Sequence, residues 1–146
     1  MNLIPVNLAT EDELSETVLL RMLADLGRFA VGTSYRRGGF AYLERNISGW
    51  NHAAKGIPFI LLTDLDRCVC PAKLFGDWLK APRHPNLLFR VAVREVEAWL
   101  LADPSNLARF LFVPEAIIPS DVDGLQDPKA TLVGLARRSR SRALAF

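Results

Sequence analysis

The sequence predicts a three-layer α/β domain built around a mainly parallel sheet of four strands. Short apolar runs of strand length alternate along the chain with longer segments whose apolar residues recur at helical spacing. The strand-length runs are almost continuously apolar, which is typical of strands covered on both faces. Alternating strands and helices are joined by right-handed crossovers, and such crossovers place successive strands parallel to each other.

Four strands and five helices are predicted. In chain order they are a strand at 2–9, a helix at 12–27, a strand at 28–35, a helix at 40–56, a strand at 57–64, a helix at 71–81, a strand at 86–95, a helix at 96–103 and a helix from about 128 into the C-terminal arginines.

The first half of the chain contains two strand–helix pairs. The run N-L-I-P-V-N-L-A predicts the first strand, and R-F-A-V-G-T-S-Y predicts the second, which ends at an R-R-G-G turn. The first helix ends at Gly27, and its predicted buried face consists of residues four apart: Leu14, Val18, Met22 and Leu26. The second helix is weaker because Gly49 interrupts it.

The second half begins with the clearest strand, I-P-F-I-L-L-T-D. The next helix starts at Pro71, since proline suits the first helical position. The strand N-L-L-F-R-V-A-V-R-E continues directly into the helix V-E-A-W-L-L-A-D, after which Asp103 caps a further turn with Pro104 behind it. Trp78 and Trp99 lie on helices and are predicted to be core residues.

Length and composition indicate one domain with a sizeable core. The chain has 146 residues, of which 50% are hydrophobic and 23% are charged. We expect residues 1–126 to form the α/β domain and residues 127–146 to form a basic C-terminal helix. No apolar run reaches the roughly 18 residues that span a bilayer, and the N-terminus lacks a basic stretch followed by an apolar leader. These observations predict a cytoplasmic protein without a membrane partner.

Positive charge is concentrated at the C-terminus. Residues 1–126 carry 13 basic and 15 acidic side chains, a net charge of −2, whereas residues 127–146 carry five basic side chains and one acidic, a net charge of +4. Four arginines fall within six residues: Arg137, Arg138, Arg140 and Arg142. A solvated helix end is one interpretation, but four arginines exceed what helix capping needs. Contact with phosphate groups is the other.

Acidic residues follow three of the four predicted strands. Glu11 comes after the first, Asp64 and Asp66 come at the end of the third, and Glu95 ends the fourth, with Glu97 two residues later. The carboxyl ends of parallel strands meet at one edge of a sheet, where open α/β folds bind ligands. Carboxylates brought together there repel one another, and a divalent cation removes the repulsion. Because Mg²⁺ prefers carboxylates, water and phosphate oxygens, the pattern predicts a Mg²⁺ or Mn²⁺ site that acts on phosphates.

Two other interpretations of these acids stay open. Acids at strand ends and in first helical turns often serve as caps, and Asp12 and Glu13 are predicted to do only that. Asp64 also begins a match to the phosphatase pattern D-x-D-x-T/V, but Cys68 stands where that pattern has Thr or Val. Dinucleotide-binding, P-loop and nucleophile-elbow motifs do not occur in the sequence.

The two cysteines, Cys68 and Cys70, form a C-x-C without a second pair. A zinc site would need further ligands such as His52 and His84, and no recognised spacing links them to the cysteines. Reduced, partly buried thiols are therefore the favoured interpretation.

The acids lie in longer motifs that resemble a known family. Glu11, T-D-L-D (63–66) and R-E-V-E-A-W-L-L-A-D (94–103) together resemble the Toprim fold, the Rossmann-like metal-binding domain of topoisomerases, primases and the overcoming-lysogenization-defect nucleases. More closely, the chain resembles a bacterial Toprim-related family, some of whose members are associated with defence against phage. The resemblance covers most of residues 3–140. Its E-V-E-A-W-L-L-A-D match is specific, whereas D-x-D alone is a weak signal.

The resemblance implies a role for each acid. Glu11 would be catalytic, as a general acid and base or as a metal-site carboxylate. Asp64 and Asp66 would be the metal-binding pair, and Glu95 and Glu97 would complete the site.

Two departures from the family pattern affect this assignment. The family's first motif has glycine directly after its glutamate, whereas here Asp12 follows Glu11. Glu13 and Glu16 are therefore alternatives for the first functional acid. Relatives of this kind generally continue well past the position of residue 146. We therefore expect this chain to be a truncated product that lacks a C-terminal helical part.

The expected function is that of a Mg²⁺-dependent nuclease of the Toprim type. Arg36 and Arg37 of the R-R-G-G turn, with the four tail arginines, would hold a nucleic-acid backbone without reading its sequence. The alternative is a non-catalytic Toprim-like subunit that binds nucleic acid or a partner protein.

Overall fold

The computed structural model describes residues 2–36 and 38–140. The chain divides into two compact units, Met1–Val91 and Ala92–Phe146, which we call unit 1 and unit 2. This division differs from the predicted boundary after residue 126. Packing accounts for the difference, because Leu135 of the last helix is buried in one cluster with Leu101 and Leu111.

Strands and helices alternate through unit 1, as predicted. In order the elements are β1 (Ile4–Thr10), α1 (Glu13–Leu26), β2 (Phe29–Tyr35), α2 (Gly39–Ala53), β3 (Phe59–Asp64), α3 (Pro71–Trp78) and β4 (Leu87–Ala92). Unit 2 continues with α4 (Val96–Leu101), α5 (Pro104–Leu111), a 3-10 turn at Glu115–Ile117 and α6 (Pro128–Ala136).

The strands form one parallel sheet in the order β2-β1-β3-β4. β1 pairs in parallel with β2 on one side and with β3 on the other. The chain therefore leaves β1 in one direction for β2 and returns past it for β3, so the strand order reverses between β1 and β3. This arrangement confirms the predicted α/β class with a four-stranded parallel sheet.

One face of the sheet packs against α2 and α3 in an aromatic-rich core. Ala9, Phe59 and Leu61 from the strands are buried there together with Leu43 and Trp78 from the helices. Ring pairs such as Phe75 with Phe89, at 4.5 Å between centroids, add edge-to-face contacts. Because successive side chains of a strand point to opposite faces, a second set of apolar side chains lies on the other face of the sheet.

α1 buries a different face from the one that the sequence predicted. Ser15, Leu19 and Leu23 are buried, whereas Met22 and Leu26 are 51% and 58% exposed. Two sets of residues spaced four apart lie side by side along this helix. The spacing alone does not determine which of the two sets packs against the sheet. The caps are as expected, since Asp12 accepts a hydrogen bond from Ser15 N–H and Gly27 adopts the left-handed conformation.

Two other helical predictions need correction. α2 runs through Gly49 without interruption, because a single glycine costs a helix only about 1 kcal/mol relative to alanine. Trp99 is 38% exposed rather than a core residue, because Val96, Ala98 and Leu101 occupy the buried face of the short helix α4. Trp78 is buried as predicted.

The ends of the predicted elements also shift near the acids and the arginines. β4 stops at Ala92 rather than continuing to Glu95. α6 ends at Ala136, so Arg137 caps the helix and the arginines follow it rather than forming its last turn. Asp103 caps α5 by accepting a hydrogen bond from Asn106 N–H, as the sequence predicted.

A bulge interrupts the pairing of β1 with β2. Val6 pairs with Val31 but Leu8 pairs with Ser34, so β2 holds one extra residue at this point. The buried side chain of Asn7 fills the gap, and its Oδ1 accepts a hydrogen bond of 2.8 Å from Thr33 N–H. A Cβ on Gly32 would lie 2.7 Å from that same oxygen. A larger residue at position 32 would therefore displace the Asn7 amide.

Within the described part of the chain, no helix has both the length and the apolar character needed to cross a membrane.

We expect Gly32→Ala to lower the free energy of unfolding by about 1–3 kcal/mol, because the Asn7 side chain must move and leave the Thr33 N–H without its acceptor. Asn7→Ala should cost a similar amount, and the double variant should cost less than the sum, since both changes remove one bond. Urea denaturation measures all three. Gly49→Ala is the matched control and should raise stability by about 0.5–1 kcal/mol, as alanine replaces glycine in an open helical position. Additive effects of the two single changes would contradict the shared bond.

Candidate functional site

The candidate site lies where β1 and β3 end, at the point where the strand order reverses. Thr10 at the end of β1 pairs with Leu62 of β3. Glu11 is the next residue after β1, and Asp64 is the last residue of β3. In open α/β sheets, the crevice between two such neighbouring strands is the usual place for a ligand.

Glu11 is bound directly to the end of β3. Its Oε2 accepts a hydrogen bond of 2.8 Å from the Thr63 hydroxyl and one of 3.3 Å from the backbone N–H of Asp64. Thr63 is fully buried, so the bond that it donates fixes the carboxylate in one place. Among the described residues, none donates a hydrogen bond to Glu11 Oε1, and this oxygen is available to a ligand.

The chain turns sharply after Asp64. Asp64 is 8% exposed and Leu65 is buried in the core of unit 1. Asp66 has a φ of 49°, in the left-handed region that aspartate tolerates better than most residues. A hydrogen bond of 2.9 Å from Cys68 N–H to the Leu65 carbonyl closes the turn. The two aspartates therefore differ, since Asp64 is buried and Asp66 is exposed.

A cavity of about 470 Å³ opens beside the second aspartate. It is lined by Phe40, Leu65, Asp66, Arg67 and Cys68. Small-molecule sites commonly have volumes of this order. Arg67 places a positive charge next to Asp66, and such a pair suits a ligand that carries a phosphate and a cation together.

Burial raises the pKa of the Glu11 carboxyl above its ordinary value of 4.5. The hydrogen bonds from Thr63 and from the Asp64 N–H oppose the rise, because they stabilise the charged form. The negative charges of Asp66 and Asp12 add to the rise. A raised pKa in a glutamate near other carboxylates is a property of acid–base catalysts and of cation sites alike.

The structure distinguishes Glu11 from the two alternative first acids. Glu16 bonds the Ser34 hydroxyl and forms an ion pair of 2.6 Å with Arg36. Glu13 is exposed and lies 4.0 Å from the same guanidinium. Both acids are thus engaged with β2 and the residue after it, and Glu11 is the one bonded to β3.

The oxygen donors at this edge fit a hard divalent cation in type, since Glu11, Asp64 and Asp66 all offer carboxylate oxygens. Across residues 2–36 and 38–140, no three His, Cys, Asp or Glu side chains form a group that could hold a metal ion. Mg²⁺ needs only one or two carboxylates, because water and substrate phosphates complete its coordination. Glu11, Asp64 and Asp66 are the residues of unit 1 that would hold it. Cys68 and Cys70 are free, partly exposed thiols, as predicted.

The other two predicted metal ligands belong to unit 2. Glu95 precedes α4, and its Oε2 accepts a hydrogen bond of 3.0 Å from Lys129 N–H in the first turn of α6. This bond ties the starts of two helices together and places a negative charge at a helix N-terminus. Glu97 is 6% exposed in the first turn of α4. For both residues a metal-binding role stays a prediction.

The predicted phosphate-binding arginines have different environments. Arg36 is paired with Glu16, which offsets its charge. Arg137, Arg138 and Arg140 are exposed, and no acid of the described residues forms an ion pair with them. Arg37 and Arg142 lie outside the residues that the structure describes.

Sequence reasoning missed two contributors to the site. Thr63 and Arg67 flank the aspartates, yet neither was singled out. The threonine had a detectable signal, since it is the one polar residue before Asp64 in a run of apolar residues. Arg67 had none, because a single exposed arginine is common on any surface.

Comparisons with protein-family models, with curated proteins and with solved structures gave no match.

The raised pKa of Glu11 predicts a specific dependence of stability on pH. Below 4.5 the carboxyl is protonated in both the folded and the unfolded chain; as the pH rises, the unfolded chain ionises first and the folded protein loses stability until the raised pKa is passed. Glu11→Gln cannot ionise. We therefore expect its melting temperature, relative to the parent, to increase as pH rises from about 4 to 7 in a chelating buffer.

Glu44→Gln, which removes an exposed carboxyl on α2, is the matched control for general effects of charge. A difference between Glu11→Gln and the parent that stays constant across this pH range, or that matches the Glu44→Gln difference, would contradict the raised pKa.

Proposed function

We propose that this protein is a Mg²⁺-dependent phosphodiesterase, a nuclease of the Toprim type. The observation that carries the proposal is the hydrogen bonding of Glu11 to Thr63 and Asp64 across the point where the strand order reverses. This bonding brings an acid with a raised pKa to the strand end that carries both aspartates. The same acids carry the Toprim resemblance of the sequence.

The residues have distinct roles in the proposed reaction. Glu11 exchanges a proton with the attacking water or the leaving oxygen, because a carboxyl with a raised pKa passes more readily between its two forms near neutral pH. Thr63 is a positioning residue that holds the Glu11 carboxylate through Oε2. Asp64 and Asp66 would hold the cation, and Arg67, which lines one cavity with Asp66, would contact a phosphate.

A bound Mg²⁺ would supply charge stabilisation to the phosphate and a more acidic water at this edge. The chain itself orients the two aspartates. Asp64 is buried at the end of β3, and Asp66 lies in the turn that follows the strand.

Nucleic acid is the proposed substrate, and the exposed arginines support it. Arg137, Arg138 and Arg140 present positive charge without an acid partner among the described residues, which suits contact with a phosphate backbone. A cytoplasmic location and a role in defence against phage come from the sequence and the family resemblance alone, and they are part of the proposal on that basis.

A non-catalytic subunit that binds nucleic acid or a partner protein is the second candidate. It is favoured by the altered first motif, since Asp12 follows Glu11 where the Toprim-related family has glycine. In this second candidate the exposed arginines form the binding surface, and no cation is required.

The first test is cleavage of labelled DNA and RNA, single- and double-stranded, in Mg²⁺ or Mn²⁺. We expect cleavage by the parent and its loss in a chelator. Asp64→Asn with Asp66→Asn should abolish it, and Glu11→Gln should lower the rate by about a hundredfold or more, the usual contribution of a general acid or base. Glu44→Gln is the control and should cleave like the parent. Binding of nucleic acid without cleavage, unchanged in all variants, would establish the second candidate instead.

The second test concerns the tail. Each phosphate contact releases counterions, so the logarithm of the affinity for an oligonucleotide should fall with the logarithm of salt concentration by roughly 0.7–0.9 per contact. Replacing Arg137, Arg138, Arg140 and Arg142 by alanine should flatten this slope equally for unrelated sequences, with little change in the melting temperature. A lower melting temperature with an unchanged slope would show that these arginines stabilise the fold rather than bind phosphate.

A further inference from the structure

Two cavities of unit 1 share part of their lining, and the larger opens at the amino edge of the sheet, opposite the edge that carries Glu11 and Asp64. The segments before β3 and β4 border the larger cavity, and in a parallel sheet both segments lie at the same edge, whereas residues of α3 and of β4 itself line the smaller cavity. The larger cavity has a volume of about 440 Å³ and the smaller about 370 Å³. Both are lined by Ala81 and Arg83, so they adjoin at these residues.

The larger cavity is basic. His52 comes from the last turn of α2 and Lys55 from the turn that follows it, and Arg83 and His84 come from the loop before β4. No Asp or Glu is among the described residues that line it. A helix C-terminus attracts cations by itself, which accounts for His52 and Lys55. It does not account for Arg83 and His84, which belong to a separate segment.

The wall that carries Arg83 and His84 is held in place before any ligand binds. Asn51 of α2 uses both ends of its amide: Nδ2 donates to the Pro82 carbonyl at 3.0 Å, and Oδ1 accepts from His84 N–H at 2.7 Å. Pro82 and Pro85 restrict the loop further. When a site is already ordered before the ligand binds, less of the binding free energy is lost to ordering the site.

The donors in this wall are partly committed and partly available. Arg83 donates one N–H to the Leu87 carbonyl at 2.8 Å, which orients the guanidinium and leaves its other N–H groups for a ligand. His84 Nδ1 accepts from Asn86 N–H at 3.2 Å. The imidazole proton therefore sits on Nε2, which is a donor. Donors of this kind, without an acid among them, suit a phosphoryl group.

The smaller cavity has the opposite character. Phe75, Leu79 and Phe89 give it an apolar and aromatic wall, and Arg83 and Arg90 stand beside this wall. Aromatic and arginine side chains together are the groups on which nucleic-acid bases stack. The two adjoining cavities together form a cleft in which the larger cavity suits an anion and the smaller suits a flat, largely apolar group.

We propose that this cleft binds a nucleotide unit, with its phosphoryl group at Lys55, Arg83 and His84 and its base against Phe75 and Leu79. The source is a free nucleotide or one residue of a nucleic-acid strand, which share this chemistry. The proposal does not rest on the carboxylate site, since it uses other residues at the other edge of the sheet.

The phosphoryl contact is tested by calorimetric titration with inorganic phosphate, ribose 5-phosphate and adenosine 5′-monophosphate in a chelating, phosphate-free buffer. We expect adenosine 5′-monophosphate to bind most tightly. Lys55→Ala should weaken its binding roughly tenfold or more, as the loss of a hydrogen bond to a charged group implies, whereas Lys55→Arg should retain most of it. Lys73→Ala, which removes a lysine paired with Asp77 on α3, is the control and should bind like the parent.

The base contact is tested by filling the smaller cavity. Gly76 lines this cavity within α3, and nothing lies within 4 Å of a Cβ placed there. Gly76→Leu should therefore fold at least as stably as the parent, since leucine favours a helix over glycine. It should bind adenosine 5′-monophosphate no more tightly than ribose 5-phosphate, while Gly76→Ala, too small to fill the cavity, should keep the preference.

A labelled oligonucleotide distinguishes the two sources. If Lys55→Ala and Gly76→Leu weaken binding of the oligonucleotide as well, the cleft takes a nucleotide within a strand; if they weaken only the mononucleotide, it takes the free form. Equal affinity of the parent for all three small ligands, no saturable binding of any of them, or unchanged binding in Lys55→Ala would overturn the proposal.

Discussion

The parallel register of β1 against β3 determines which acids of this chain meet. Thr10 pairs with Leu62, so the residue after β1 arrives beside the last two residues of β3. Glu11 therefore reaches the Thr63 hydroxyl and the Asp64 N–H, although 52 residues separate it from Thr63. A shift of one residue would turn every side chain of β1 to the other face of the sheet. Such a shift would also separate the Glu11 carboxylate from the Thr63 hydroxyl.

The order and type of the elements were predictable because they depend on local signals. Strand-length apolar runs, Asp103 before Pro104 and Gly27 after a helical segment each act within a few residues. The buried face of α1 was not predictable in the same way. Leu14 and Leu19 begin equally plausible apolar series, and contact with the sheet decides between them. The exposure of Trp99 likewise depends on which face of α4 is covered.

The candidate site was predictable in part for the same reason. The carboxyl ends of neighbouring parallel strands lie at one edge of the sheet, so acids directly after those strands lie close together. The nearness of Glu11 to Asp64 was therefore a consequence of the fold class. The hydrogen bond from Thr63 and the cavity beside Arg67 depend on side-chain geometry that a pattern of residue types does not specify. The division of the acids between two compact units also depends on packing, since it follows from the cluster around Leu101 and Leu135.

The extra residue in β2 has a consequence for which side chains face which helix. Val31 and Ser34 both pair with residues of β1 that point to the same side, so the alternation of β2 changes phase between them. Because of this change, Ser34 meets Glu16 of α1, while Tyr35 packs against Trp50 and Phe59 on the opposite face. β2 is thus two short strands of opposite phase joined at a glycine. Ser34 and Tyr35 are adjacent in sequence, and the change of phase places the polar residue against α1 and the aromatic residue in the aromatic core on the other face.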